Sequence, residues 1–170
     1  VDDICFFVPI HDLEQAKKQL QKGMDIIAEW SEENNQQLSA TKTNFTVFYP
    51  GNCQRNIEYR QCLESQIKIS IGGKQIPHEA NPKFLGVYLG QSLNFKKHIE
   101  CVEKKVLKRY HALRRANSLS FGPGTAQLKM LYNSTIWSTL AYGAGTYATM
   151  AADKDLAGLN RIIADCAKII

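Results

Sequence analysis

The sequence predicts an α+β fold, with the strands in the first part of the chain and mostly helices in the second. Short runs of β-branched and aromatic residues, broken by Pro and Gly, recur within residues 1–94. From residue 95 to 170, apolar residues recur at helical spacing. The length of 170 residues and the hydrophobic content of 44% allow a core in one domain or two small ones. We therefore predict a small antiparallel sheet carrying one long helix, followed by a bundle of about three helices.

The first elements are predicted to be a strand, a long helix and a second strand. Ile4–Val8 is a run of strand formers closed by Pro9, which predicts a buried strand. Asp12 can cap a helix that ends in the polar stretch 31–37, because apolar residues recur at helical spacing between these points. Residues 44–49 are again rich in β-formers and predict the next strand.

The middle of the chain predicts a connector, a hairpin and a further strand. Residues 50–66 are polar and lack a clean period, which indicates a connector. Residues 67–76 alternate around Gly72-Gly73, a strong hairpin turn signal. Phe84–Gly90 predicts another strand, in which Gly86 indicates a bulge or a close backbone approach.

The helix predicted from Asn94 has a strongly uneven charge. Its apolar stripe contains Phe95, Ile99, Val102, Val106, Tyr110 and Leu113. Its other faces carry eight basic residues and two acidic ones, a net charge of +6 against +5 for the whole chain. Such a helix is either a footprint for a polyanion or an ordinary solvated face. The basic residues are Lys96, Lys97, Lys104, Lys105, Lys108, Arg109, Arg114 and Arg115.

Two further helices are predicted after this basic one. Pro123 suits the first turn of a helix that is apolar on several sides, which indicates the buried centre of the bundle. Residues 142–147 interrupt or extend that helix. Asp153 can cap a last helix reaching Ile170, in which apolar residues again recur at helical spacing.

Two polar features could carry chemistry. The adjacent carboxylates Asp2 and Asp3 stand before a predicted strand, and such a pair suits a hard cation such as Mg²⁺. The alternative is a solvated turn. Lys42 precedes another predicted strand, as a solvated loop lysine or as a cation that reaches a phosphate.

Composition excludes several classes of protein. The five cysteines are scattered, form no CxxC pair and complete no zinc spacing with the four histidines. They suit a reducing, intracellular compartment, whether nucleus or cytoplasm. No apolar run approaches the ~20 residues that span a membrane, and we expect no membrane partner. The chain opens on Val1-Asp2-Asp3, so we expect a piece of a longer polypeptide.

The order of these segments resembles the reverse transcriptases of non-LTR (LINE-type) retrotransposons. The resemblance is carried by Asp2-Asp3, Lys42-Thr43 and Phe84-Leu85-Gly86-Val87 at their separations. It extends through LSATKTNFTVF, KFLGVYLGQSLNFKKHI and LYNSTIWSTLAYGAGTY and covers essentially the whole chain. It implies the C-terminal part of a polymerase palm over 1–94 and a helical thumb over 95–170.

The resemblance also implies roles for particular residues. Asp2 and Asp3 would close the aromatic-x-Asp-Asp box and hold Mg²⁺, with Mn²⁺ as an alternative, and Lys42 would approach the phosphates of the incoming nucleotide. The strand motif Phe84, Leu85, Gly86, Val87 and Tyr88 would position the 3′ end of the primer. The thumb would rest on the duplex of RNA template and DNA primer, through Lys97, Lys104, Lys105, Lys108, Arg109 and Arg115.

The chain also departs from the family. A further catalytic aspartate and the nucleotide-binding finger residues belong to upstream segments of such enzymes and are absent from this chain. We therefore expect the longer parent polypeptide to be an RNA-directed DNA polymerase, which is a nucleotidyltransferase that uses dNTPs. We expect the isolated fragment to be inactive. The alternatives are a nucleic-acid-binding module that uses the basic helix 96–115, and an inactive remnant that still folds.

Overall fold

The chain forms two compact units, Val1–Leu85 and Gly86–Ile170. The structure, a computed structural model, describes residues 3–49, 57–117 and 122–170, and for residues 57–60 the backbone alone. The boundary falls between Leu85 and Gly86. The assignment of residues 1–94 to a palm and 95–170 to a thumb stays a prediction.

The first unit is built around one long helix and a short hairpin. Helix α1 (Leu13–Glu33) begins where sequence predicts, because the Asp12 carboxylate accepts a hydrogen bond from the backbone N–H of Glu14 at 3.2 Å. Helix α2 (Ile57–Gln66) precedes strands β1 (Ser70–Ile71) and β2 (Lys74–Gln75). These strands pair antiparallel across Gly72-Gly73, whose φ angles of 53° and 76° are the left-handed values that a tight hairpin turn requires.

Helix α1 is fixed to the hairpin by a side-chain amide and by a small core. The amide of Gln21 donates to the Ser70 carbonyl and accepts from the Ser70 N–H, both at 3.1 Å. This pair satisfies both backbone groups of Ser70 on the strand edge. The core beneath it contains Met24, Val47, Tyr49, Ile67, Ile69, Ile71 and Ile76.

Strand β3 (Lys83–Phe84) lies at the end of the first unit, and strand β4 (Val87–Tyr88) lies at the start of the second. Helix α3 (Lys96–Ala116) follows. One continuous helical stretch then comprises α4 (Thr125–Leu131), the π-helical segment Tyr132–Trp137 and α5 (Ser138–Ala141). The chain ends with α6 (Ala144–Met150) and α7 (Asp153–Ala167).

The core of the second unit is the apolar stripe of α3, packed against α7 and against the stretch 125–141. The stripe is buried as the sequence predicts, with Tyr110 half-buried at its edge. Facing it are Leu128, Ile136, Leu140, Tyr147, Leu159, Ile162 and Cys166. Removing this much apolar surface from water is the main favourable contribution to the stability of the unit.

Two strand predictions about the first unit were wrong. Residues 3–10 form no strand, and the side chains of Ile4 and Phe7 are 57% and 88% exposed. Residues 44–49 contribute a single bridge, Phe45 to His78, in place of a strand. A strand needs a hydrogen-bonding neighbour along its length. The described residues supply none for residues 3–10, and for residues 44–49 they supply one only at Phe45.

The predicted connector 50–66 was also wrong over its second half. Residues 57–66 are helix α2, while residues 50–56 lie outside the described residues. The sequence of α2 lacks a continuous apolar stripe, so its weak helical period did not predict the helix.

Predictions about the second half needed smaller corrections. Gly86 lies in a turn between β3 and β4 with a φ of 82°, where a mid-strand position was expected. The next helix begins at Thr125, two residues after Pro123, and Asp153 is the first residue of α7, capped by Ala152 without a side-chain hydrogen bond. The stretch 125–141 buries only one side, since Met130 and Trp137 are 71% and 51% exposed.

Candidate nucleic-acid interface

Four cations form a straight line along the outer face of α3. Lys97, Lys104, Lys108 and Arg115 are separated by seven, four and seven residues, spacings that return to the same side of a helix with 3.6 residues per turn. All four are exposed, on the side opposite the buried apolar stripe. We call these four residues the basic ridge. Beside its C-terminal end, a shallow depression of about 520 Å³ is lined by Lys108, His111, Arg114 and Arg115.

The basic ridge forms no ion pair with a carboxylate of the described residues, and Glu100 is the acidic residue nearest to the ridge's side of α3. Within residues 3–49, 57–117 and 122–170, no Asp or Glu lies in ion-pair distance of its four cations. Its charges therefore add to a positive potential that extends about a Debye length, roughly 8 Å, into physiological saline. Such a line of exposed charge suits the backbone of a polyanion and carries no sequence information.

The two remaining predicted nucleic-acid contacts lie on a different side of α3. Lys105 and Arg109 are one turn apart on the flank that faces residues 134–142. The Arg109 guanidinium donates a hydrogen bond to the backbone carbonyl of Thr135 in the π-helical segment. Arg109 therefore ties the two helices together, in addition to contributing charge.

Lys105 and Arg109 form one wall of a groove of about 400 Å³ within the second unit. Because four serine and threonine residues of the opposite wall carry hydroxyl groups, we call it the hydroxyl groove. Its lining comprises Gly86, His98, Val102, Lys105, Arg109, Ser134, Thr135, Ser138, Thr139 and Tyr142.

His98 is the most unusual residue of the hydroxyl groove. Its side chain is 4% exposed, packs edge-on against the Tyr147 ring at 4.9 Å, and accepts a hydrogen bond at Nδ1 from the Tyr88 backbone N–H at 3.4 Å. The neutral imidazole therefore carries its proton on Nε2. This Nε2 is buried and has no hydrogen-bond partner among the described residues, which costs about 1–3 kcal/mol in a folded protein.

Burial, followed by the nearby positive charge of Lys105, lowers the pKa of His98 below its ordinary value of 6.5. Below pH 6.5 the unfolded chain then binds more protons than the folded one, so the free energy of unfolding decreases as the pH falls through this range. We expect chemical denaturation at pH 7.5 and 5.5 to show a smaller pH-dependent loss of stability for His98→Asn than for the wild type. Asn keeps an acceptor near the Tyr88 N–H but does not titrate. An identical pH dependence in both proteins would contradict this assignment.

The predicted catalytic residues are not assembled into a site by the described residues. Asp2 lies outside them, Asp3 is exposed in the irregular segment before α1, and Lys42 is exposed in a turn where its N–H donates to the Ser39 carbonyl. No cluster of three or more His, Cys, Asp or Glu that could hold a metal occurs in this part of the chain. The described residues therefore do not fit a Mg²⁺ site by themselves, and the metal and catalytic roles of Asp2, Asp3 and Lys42 stay predictions.

The predicted primer-positioning residues occupy the β3–β4 segment. Phe84, Val87 and Tyr88 are half-buried, whereas Leu85 is 48% exposed and has a left-handed φ of 45°. A Cβ built on Gly86 would lie 3.2 Å from the Tyr142 ring, so the close approach expected there is made by an aromatic side chain. Contact of this segment with a primer stays a prediction.

Sequence reasoning missed His98 and the four serine and threonine residues of the hydroxyl groove. Ser134, Thr135, Ser138 and Thr139 have the spacing i, i+1, i+4 and i+5, which places all four on one side of a helix, and this signal was available in the sequence. No comparable signal marks His98, because its burial depends on packing between distant segments.

Comparisons with known proteins confirm the resemblance that the sequence predicts. The chain is 27% identical over 99 residues to a retrovirus-related Pol polyprotein from type-1 retrotransposable element R1 4 of Nasonia vitripennis, covering 57% of this chain and 25% of the relative. It is 25% identical over 154 residues to the RNA-directed DNA polymerase from mobile element jockey of Drosophila melanogaster, covering 88% of this chain and 15% of the relative. The R1 polyprotein of Bradysia coprophila is 28% identical over 79 residues, 46% of this chain and 8% of that relative.

The chain thus spans a quarter or less of the length of these curated relatives. No protein-family model and no solved structure matches it. Among the described residues, no helix is long and apolar enough to cross a membrane.

Proposed function

We propose that this chain is the C-terminal palm and thumb part of an RNA-directed DNA polymerase from a non-LTR retrotransposon. The observation that carries the proposal is the basic ridge, which presents four exposed cations in line along one helix. The similarity to retrotransposon polymerases supplies the enzyme class of the parent. In this proposal the ridge rests on the template–primer duplex.

The geometry of the ridge suits this role. A polymerase must hold any sequence, so its grip must rely on phosphate contacts, which fix position without reading bases. Lysine and arginine on a rigid helix provide such contacts at a spacing set by the helix itself. The substrates proposed for the parent are an RNA template, a DNA primer and dNTPs. Mg²⁺ would be held by Asp2, Asp3 and a further aspartate of the upstream palm, and upstream finger residues would bind the nucleotide.

A nucleic-acid-binding module without catalysis is the second candidate. It is favoured by the placement of the basic ridge and the hydroxyl groove, both of which lie within residues 86–170 and involve no residue of the first unit. Both candidates share the ridge, so they differ only in whether nucleotide transfer occurs.

The test is Mg²⁺-dependent primer extension on an RNA template by a polypeptide that contains this chain and the upstream polymerase segments. Extension of the primer would support the polymerase. Retained binding of the template–primer without extension would favour the binding module. Absence of both would overturn the two candidates and leave a remnant that still folds.

A further inference from the structure

The four serine and threonine hydroxyls of the groove present acceptors to a ligand. Each hydroxyl donates its proton back to its own helix: Ser134 and Thr135 to the Leu131 carbonyl, Ser138 to that of Ser134 at 2.6 Å, and Thr139 to that of Thr135 at 2.8 Å. With the proton committed to the backbone, the remaining lone pairs of each oxygen can accept a hydrogen bond from outside. This wall therefore suits a ligand that donates hydrogen bonds.

The opposite wall provides a donor. Lys105 has an exposed ammonium group with no carboxylate in ion-pair distance among the described residues. A phosphate group has only acceptors, so it could use this wall and leave the hydroxyl wall unused. A ribose hydroxyl both donates and accepts, and in a nucleic acid strand it stands next to a phosphate.

We propose that the hydroxyl groove binds the ribose of an RNA strand, with the 2′-hydroxyl donating to Ser138 or Thr139 and Lys105 contacting the adjacent phosphate. This inference rests on the proposed function. The groove would distinguish RNA from DNA, whereas the basic ridge would bind the phosphate backbone of either. The groove of about 400 Å³ is at the lower end of the range for sites that enclose a small ligand. DNA lacks the 2′-hydroxyl, so it would make no such hydrogen bond to the serine and threonine hydroxyls of the groove.

The test compares two duplexes that have similar geometry and differ only in the group carried by the 2′ oxygen, hydrogen or methyl. One is an RNA–DNA hybrid, and the other is the same hybrid with a 2′-O-methylated RNA strand, in which the hydrogen-bond donor is missing. Fluorescence anisotropy at fixed salt would give the affinity of the 170-residue chain for each. We expect the unmodified hybrid to bind at least about fivefold more tightly, the worth of one hydrogen bond.

The double variant Ser138→Ala, Thr139→Val should remove this preference and leave the affinity for the methylated hybrid unchanged. Both substitutions keep the helix intact, since the deleted hydroxyls bond only to carbonyls of their own helix. The control Lys104→Gln, Lys108→Gln should weaken both duplexes equally and retain the preference. Equal affinity of the wild type for both duplexes would overturn this inference alone, whereas failure to bind either would overturn the proposed function with it.

Discussion

Replacing Asp2 by Asn in the polymerase that contains this chain should reduce primer extension roughly a thousandfold, because a catalytic metal contributes several kcal/mol to transition-state stabilisation. The substitution keeps the shape of the side chain and removes the negative charge that would hold Mg²⁺. Binding of the template–primer should change little, since the binding surfaces proposed here lie on α3 and residues 134–142. The measurement is single-turnover extension on an RNA template beside an anisotropy titration of the same duplex.

Asp12→Asn is the matched control for that experiment. It removes the same charge ten positions away in the chain, and Asn is as good a helix cap as Asp, so α1 should keep its start. The control should extend primers like the wild type. Full activity of the Asp2→Asn enzyme would exclude Asp2 as a metal ligand, and equal losses in both variants would point to a general effect of charge.

Replacing all four residues of the basic ridge by Gln should remove most of the salt dependence of nucleic-acid binding. Each phosphate contact contributes about 0.9 to the slope of log affinity against log salt, so the magnitude of the slope should fall by about 3 to 4. Those four contacts correspond to about a hundredfold of affinity between 50 and 200 mM salt. Titrations of one RNA–DNA hybrid at several salt concentrations measure both quantities.

A second quadruple variant distinguishes a specific effect of the basic ridge on binding from an effect of the net charge of the chain. Lys18, Lys22, Lys68 and Lys74 are exposed in the first unit, and changing them to Gln removes the same four charges. We expect that variant to keep nearly the whole slope, because its lysines do not line up on one helix face. If the two variants lose affinity equally, the binding depends on overall charge and the ridge has no specific role.

The sequence predicted the elements that are specified locally. Asp12 marked the start of α1, Gly72-Gly73 marked the hairpin, and the spacing from Phe95 to Leu113 identified both the length and the buried face of α3. In each case neighbouring residues determine the structure, through a cap, a left-handed turn or a helical period. The basic ridge could be predicted for the same reason, since one helix contains it.

Features that depend on distant residues were not predictable in this way. The run Ile4–Val8 has strand composition, yet strand formation requires a neighbour that the described residues do not provide. The hydroxyl groove forms only because α3 packs beside residues 134–142, and these two segments are far apart in the sequence. The sequence alone did not show that Lys105 and Arg109 face the groove while the four cations of the basic ridge do not. That difference depends on which flank of α3 packs beside residues 134–142.

The π-helical segment Tyr132–Trp137 has a consequence for how related sequences should be aligned. Its wider turn holds one more residue than an α-helical turn, so residues after it are rotated by about 100° relative to an unbroken α-helix. A relative that lacks one residue here could form a regular helix and keep Ser138 and Leu140 on their present sides. A single-residue gap within 132–137 would therefore be a structural equivalence, whereas the same gap inside α3 would turn the cationic side of that helix away from its present direction.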